Sequence, residues 1–413
     1  MANTLNLGTD GNWGVKKDSL LAYNSENGNF KPLPFDFTRA SSATVVNKAG
    51  LIETVGSGEP RIDFSNDAKG ALLLEPSRSN LVTYSEDFSD AYWAKSGLST
   101  PSGFVSPDRT NNAYKLVEDT STGEHVIYKV SIGYTSGATL SYSFFAKKGE
   151  RNVIQTYNYI GGGYHNGANF DLSTGIVSNE VSGSGTMLEL DNGWYRCEFT
   201  SLATVGQSST NVAFRILNSA DENNYTGDGT SGVYIYGAQL EVGSYATSYI
   251  PNFGNSAGAT RSADACNNGG NEQVINSTEG VLYAEFKNTD TSNYKLMSIS
   301  DGTGNNRVFV GTRLNTGYIY YFVVAGGATQ ASYISTQLAD NFTKVAVKFK
   351  ANDFSFWING LEVSTDLSGS VPIGLNVIQF NGGSGTLDFN GNCKDLRVYN
   401  TALTDSELQA LTK

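Results

Sequence analysis

The stretch Thr343-Lys-Val-Ala-Val-Lys-Phe349, followed by Phe354-Ser-Phe-Trp-Ile358 and the turn Asn359-Gly360 before Leu361, decides the architecture. Val345, Val347 and Phe349 alternate with Lys344, Ala346 and Lys348. That period of two sends the apolar side chains to one face of a strand and the lysines to the other. One face is predicted to meet a core and the other solvent. Asn359 and Gly360 both tolerate the positive φ of a two-residue turn, so a hairpin should form there. The neighbouring segments Val281–Phe286, Arg307–Val310, Tyr318–Val324 and Val377–Phe380 read as further strands, and Leu396–Tyr399 as the last. Thr404-Asp-Ser-Glu407 is a capping box, predicting a short helix to about Leu411.

Upstream, residues 253–278 are rich in Asn, Gly, Ser and Ala and read as a linker to this unit, which spans 279–413. Residues 80–252 read as a second unit. Its candidate strands are Leu140–Phe145, Val153–Tyr157, Trp194–Phe199, Asn211–Ile216 and Val233–Tyr236, separated by Gly- and Asn-rich turns. Many short strands with hardly any helical period predict an all-β chain of antiparallel two-sheet sandwiches. Trp93 and Trp194 are expected in the core. In residues 1–79, Pro32, Pro34 and Pro60 interrupt any long ladder. Leu33, Phe35, Phe37, Val45, Val46, Leu51, Ile52 and Leu72–Leu74 are apolar with few regular elements to bury them. An irregular attachment or oligomerising region is the expectation.

Composition narrows the functions. The chain has 28 Lys and Arg against 40 Asp and Glu, a net charge of −12, and no basic run. It offers no face for displacing counterions from phosphates, so nucleic acid is not an expected partner. The first residues lack the basic and apolar regions of a secretory signal. No apolar run is long enough to span a membrane. Cys197, Cys266 and Cys393 are widely spaced and odd in number, predicting free buried thiols rather than a disulfide framework or a zinc site.

Several motifs recur together: Phe37-Thr-Arg-Ala-Ser-Ser-Ala-Thr44, Pro60-Arg-Ile-Asp63, Leu72-Leu-Leu-Glu-Pro-Ser-Arg-Ser-Asn80, Gly237-Ala-Gln-Leu-Glu-Val-Gly243 and Ala246-Thr-Ser-Tyr-Ile-Pro251. In order and wording they resemble the head or tail fibre and spike proteins of tailed bacteriophages. Asn80–Phe88, Trp93 and Asn192–Arg196 look like parts of jelly-roll carbohydrate-binding modules. The ending Lys394–Leu408 resembles laminin G-like, concanavalin A-like jelly rolls. The resemblance implies two jelly-roll β-sandwiches behind an N-terminal virion-attachment region at 1–79. It implies a structural and adhesive subunit of the virion, made in the host cytoplasm and bound to other capsid or tail proteins. Its expected partner outside the particle is a host surface glycan, and its expected assembly a homotrimer. A capsule or cell-wall depolymerase and a purely structural decoration are the alternatives.

An enzyme is not expected. Glucanases of the concanavalin A-like fold place carboxylates at alternate positions of one strand, and no Glu-x-Asp-x-Glu run occurs here. Lyases on that fold need a Tyr/His pair, and His125 and His165 are the two histidines. Gly161-Gly-Gly163 lacks the residues of a phosphate cradle and reads as a loop. Sugars are bound on aromatic faces flanked by polar groups. Tyr157, Tyr159 and Tyr164 with His165 form one candidate platform, and Tyr318 with Tyr320 another. No cofactor is expected. The resemblance allows a structural calcium, for which Glu86, Asp87, Gln239 and Glu241, or Asp301 with Asn305, are candidate ligands.

Overall fold

Runs of alternating apolar residues, broken by glycine and asparagine, pair into antiparallel sheets in a computed structural model describing residues 4–7, 13–21, 23–24, 29–30, 35–160, 163–202, 208–288 and 290–413. The all-β class of antiparallel sandwiches holds. Two compact units result, neither continuous in sequence. One comprises Ala43–Thr54 and Ser77–Arg261; the other comprises Met1–Ser42, Val55–Pro76 and Ser262–Lys413. No helix among the described residues is long and apolar enough to cross a membrane.

In the first of these units, a six-stranded and a seven-stranded sheet enclose a core that includes Leu116, Ile127, Phe144, Ile154, Phe170, Phe214 and Leu240. Phe144 and Phe214 lie 4.7 Å apart between ring centroids. Trp93 is buried in that core. Trp194 is buried on the outer side of the seven-stranded sheet with Phe145, Tyr236, Tyr249 and Ile52. Ile52 belongs to a hairpin of Ala43–Val46 and Ile52–Val55, held where Thr44 Oγ1 donates to the Tyr249 carbonyl at 2.6 Å.

The motif Gly237–Gly243 works structurally. Asn80 is fully buried; its amide donates to the carbonyls of Ala238 (3.1 Å) and Ile250 (2.8 Å), and its oxygen accepts from the Val82 and Leu240 amides. Gln239 Oε1 accepts from the Ile250 amide, and the Glu241 carboxylate accepts the amide and hydroxyl of Thr247. At Gly237, φ is +60°, and a Cβ would press on the rings of Phe145 and Tyr249 at 3.0–3.1 Å. Glycine is required there by both backbone and space.

In the second unit, the strand Gly391–Tyr399 lies inside a ten-stranded sheet. On one side it pairs with Glu279–Lys287, and on the other with Thr4–Leu7 and Ala71–Leu74. A five-stranded sheet of Ala328–Leu338, Tyr318–Ala325, Arg307–Thr312, Lys295–Ser300 and Val377–Gln379 packs against it. Val345, Val347 and Phe349 enter the core as their alternation predicts. The opposite face of that strand does not stay open to solvent: Ala346 is buried with Trp357, Tyr399, Leu403 and Leu408. Leu408 sits on the predicted helix, Asp405–Thr412, whose Thr404 and Glu407 form the capping box. The hairpin at Asn359 and Gly360 forms, with φ of +48° and +81°.

The boundaries differ from those read in the sequence. Residues 1–79 are not a separate region, and 253–278 are not a free linker. Phe35–Thr38 pairs with Ala265–Asn267. Leu20, Phe35, Phe37, Leu72, Leu74, Cys266 and Ile275 share one core with strands beyond residue 279. Among the described residues each early strand runs for two to four residues, too short to show its distant partner. Leu33 lies outside the described residues. Phe35, Phe37, Val45, Ile52, Leu72 and Leu74 are all buried, so their apolar surface supplies no physical reason for a trimer. The three cysteines are free and buried, and desolvation pushes each thiol well above its ordinary pKa.

A fully buried ion cluster closes this unit. Asp264 receives Arg39 at 3.1 Å and Arg61 at 2.5 Å, and Arg61 also reaches Glu75 at 2.8 Å. Burial works to lower the Arg61 pKa, but the Glu75 and Asp264 carboxylates outweigh it and hold the pKa above its ordinary value. Asp264→Ala leaves two buried guanidiniums without their shared carboxylate, which should cost about 3–5 kcal/mol in urea unfolding at neutral pH. A loss below about 1 kcal/mol would show that the cluster is dispensable. Residues 279–413 alone lack core side chains and strands from the first 76 residues. That fragment should fail to give a cooperative unfolding transition, whereas the whole chain gives one.

Candidate binding groove

Strand register assembles the site. Phe309 lies opposite Phe322, and Arg307 opposite Val324, in adjacent antiparallel strands. Because side chains alternate, Val308, Val310, Ile319, Tyr321 and Val323 fill the core. Phe309, Tyr320, Phe322 and Val324 form a second apolar cluster, with Leu296, on the outer face of the five-stranded sheet. The Phe309 and Phe322 rings stack at 5.4 Å and 10°. Tyr320 meets them edge-on at 5.6 and 5.8 Å, and Tyr294 tilts against Tyr320 at 5.9 Å.

A groove of about 360 Å³ lies over these rings. Asn305, Gly327 and Thr329 stand along it, and Leu387 packs at its side. Gly326 and Gly327, with φ of +57° and +81°, make the two-residue turn that ends the strand Tyr318–Ala325. Asn306 pins the adjoining loop to that turn: its oxygen accepts from the Gly326 amide at 3.1 Å, and its amide donates to Asp301 at 2.9 Å. Arg307 lies with its guanidinium carbon 4.9 Å from the Phe309 centroid and donates from Nη1 to the Gly382 carbonyl. A second cavity of about 510 Å³ is lined by Gln273, Asn276, Ser277, Asn376 and Asn400 among others, and carries no aromatic side chain.

Of the residues expected to bind sugar, Tyr320 reaches the groove, where it is 5% exposed and burial raises its pKa. Tyr318 is half-buried and does not line the groove. Tyr157 is 6% exposed beneath Arg215, whose guanidinium lies 4.1 Å from the ring centroid. That contact occupies the ring face a sugar would use. Tyr159 and Tyr164 stand opposite each other in paired strands, with His165 next along. The side chains of these three lie outside the described residues. Sequence reasoning missed Arg307, Phe309, Phe322 and Tyr294. The signal was present in Arg307-Val-Phe-Val310, where Arg307 and Phe309 share a face, but both faces of this sheet are apolar. Periodicity alone could not say which was the core.

The candidate calcium ligands do not form a cage. Glu86 accepts the hydroxyls of Tyr236 and Tyr249, while Asp87 accepts those of Ser89 and Tyr114. Gln239 and Glu241 bond each other at 2.8 Å. Asp301 is occupied by Thr303 and Asn306. Among the described residues no group of three or more His, Cys, Asp or Glu could hold a metal ion. His125 is fully buried, with Nδ1 2.5 Å from the Gly97 carbonyl.

Residues 271–409 match the family model of the concanavalin A-like lectin/glucanases superfamily. No curated protein matches the chain. Among solved structures, the chain is similar to the CBM40 of the Ruminococcus gnavus IT-sialidase bound to alpha2,6 sialyllactose, at 19% identity and TM-score 0.29. That match covers 33% of this chain and 85% of the other. Domain 4 of AbnA, a GH43 extracellular arabinanase from Geobacillus stearothermophilus in complex with arabinotriose, matches at 14% identity and TM-score 0.29, covering 37% and 73%. Domains LG4-5 of the mouse laminin alpha1 chain match at 11% identity and TM-score 0.23, covering 69% and 90%.

Two glycines separate fold from site. At Gly311, in the row between Leu296 and Tyr320, a Cβ would lie 1.9 Å from the Lys295 carbonyl oxygen. At Gly304, on the groove, nothing lies within 4 Å. Gly311→Ala should therefore destabilise the sheet by about 1–3 kcal/mol, and Gly304→Ala should leave the thermal midpoint unchanged. Equal midpoints for the two variants would contradict this packing.

Proposed function

We propose that the chain is a structural and adhesive subunit of a bacteriophage fibre or spike, and that it holds host surface glycans in the groove of its five-stranded sheet without cleaving them. The observation that carries the reading is the cluster of Tyr294, Phe309, Tyr320 and Phe322 on an outer sheet face, rimmed by Asn305 and Thr329. Phe322 and Tyr294 are only partly buried. Contiguous apolar surface on an outer face marks an interaction site more often than chance. Rings supply surface for sugar C–H groups, and the rim supplies hydrogen-bonding partners for hydroxyls.

The phage origin rests on the sequence motifs, as does the homotrimer of fibre subunits. Three grooves on one shaft would turn a weak single-site affinity into firm attachment. A multi-angle light-scattering mass of three chains is the expected result, and a monomer away from the virion would count against the trimer.

For the groove itself, the test is a glycan array followed by calorimetry with the full chain. Phe322→Ala should weaken binding about threefold to tenfold, and Tyr157→Ala should not. No reducing ends or unsaturated products should appear in the incubated mixture. Undiminished binding by Phe322→Ala would remove the groove from the account.

A further inference from the structure

Among the described residues, Arg307 is the one charged side chain lining the groove. We propose, building on the glycan reading of this groove, that it takes an acidic saccharide whose carboxylate or sulfate is bound by Arg307.

The argument starts from what Arg307 lacks. Several buried or half-buried arginines face carboxylates: Arg39 and Arg61 share Asp264, Arg151 meets Glu118, Arg215 meets Glu124, and Arg397 meets Asp395. Arg78 is a half-buried arginine without an ion pair among the described residues, but it does not line the groove. With 40 acidic residues against 28 basic, carboxylates are plentiful. Yet Arg307, itself half-buried, has no ion pair among the described residues. Its one hydrogen bond goes from Nη1 to the Gly382 carbonyl. Its Nε is buried without an acceptor. Removing a guanidinium from water without a counter-charge is unfavourable, and such groups mark functional sites. Burial pushes the Arg307 pKa below its ordinary value against a smaller opposing effect of Tyr320, although an arginine stays cationic at neutral pH.

The side chain is also held ready. Its guanidinium sits on the Phe309 ring at 4.9 Å, and a Cβ on Gly383 would come 3.3 Å from Arg307 Cδ. That contact leaves no room for a larger residue beside the stem. Stacking and the Gly382 bond fix the plane of the head group, so little freedom remains to be lost on binding. A guanidinium so fixed suits the two oxygens of a carboxylate or sulfate. Phe322 beside it would carry the sugar ring, while Asn305 and Thr329 are neutral partners for hydroxyls.

The test uses the full chain on a printed array in which uronate, sialylated and sulfated glycans each stand beside their neutral counterpart. Hits are then titrated in solution. Preference for the acidic members, a loss of about tenfold to a hundredfold for them in Arg307→Gln, and little change for neutral glycans are the expected results. Arg307→Lys should recover part of the loss. Gly304→Glu, which adds a negative charge where nothing crowds the glycine, should weaken acidic glycans alone. Unchanged thermal midpoints would establish that the variants fold. The carboxylate and sulfate arms tell the two sources of charge apart. Equal binding of neutral glycans, unaffected by Arg307→Gln, would overturn the acidic preference and leave the groove as a glycan site. Absence of any glycan binding that depends on Phe322 would overturn both.

Discussion

Asp264 ties the early and late segments of the second unit together at one buried point. Its carboxylate holds Arg39 and Arg61 and accepts the Glu75 amide at Oδ2 (2.8 Å), while its own backbone amide donates to the Glu75 carbonyl at 2.9 Å. Arg39 adds bonds to the carbonyls of Ser41, Gly56 and Glu59. Three early stretches of chain are thereby locked to Asp264, which lies 225 residues from Arg39, 203 from Arg61 and 189 from Glu75. Buried charges tolerate little error of position, because a carboxylate or guanidinium left unpaired there is strongly disfavoured. The cluster thus sets which early strands join the sandwich and where.

That closure bears on the groove. The first 76 residues supply strands beside Gly391–Tyr399 and core side chains between the sheets. The terminal helix covers the outer face of the ten-stranded sheet through Leu408. With the core filled from within and one outer face covered, the outer aromatic face of the five-stranded sheet is an apolar surface on which, among the described residues of this unit, only Leu387 packs from outside the sheet apart from Tyr294. The rings of Tyr294 and Phe322 stay partly uncovered, and Arg307, without an ion pair among the described residues, lies beside the cluster. A sheet apolar on both faces needs a reason for the second face, and a ligand is a sufficient one.

The motifs that bear the fibre resemblance prove to be structural. Arg39, Arg61 and Glu75 are ion-cluster members, and Asn80, Gln239 and Glu241 are saturated with buried hydrogen bonds. None of them lines the groove. Sequence motifs of this kind report how a chain is tied together, and are silent about what it holds.

Local pattern alone determined strands such as Thr343–Lys350, the Asn359-Gly360 hairpin and the capping box at Thr404, since each depends on neighbours within a few residues. Tertiary structure decided the rest. Tyr157 reads as a platform in the sequence, but Arg215, from a paired strand, lies on its ring. Phe309 and Phe322 look like core residues in sequence, and face outward because Val308 and Val323 take the inward positions. Domain limits were illegible for the same reason: strands of two to four residues declare their partners only when a buried carboxylate, two hundred residues away for Arg39 and Arg61, brings them together.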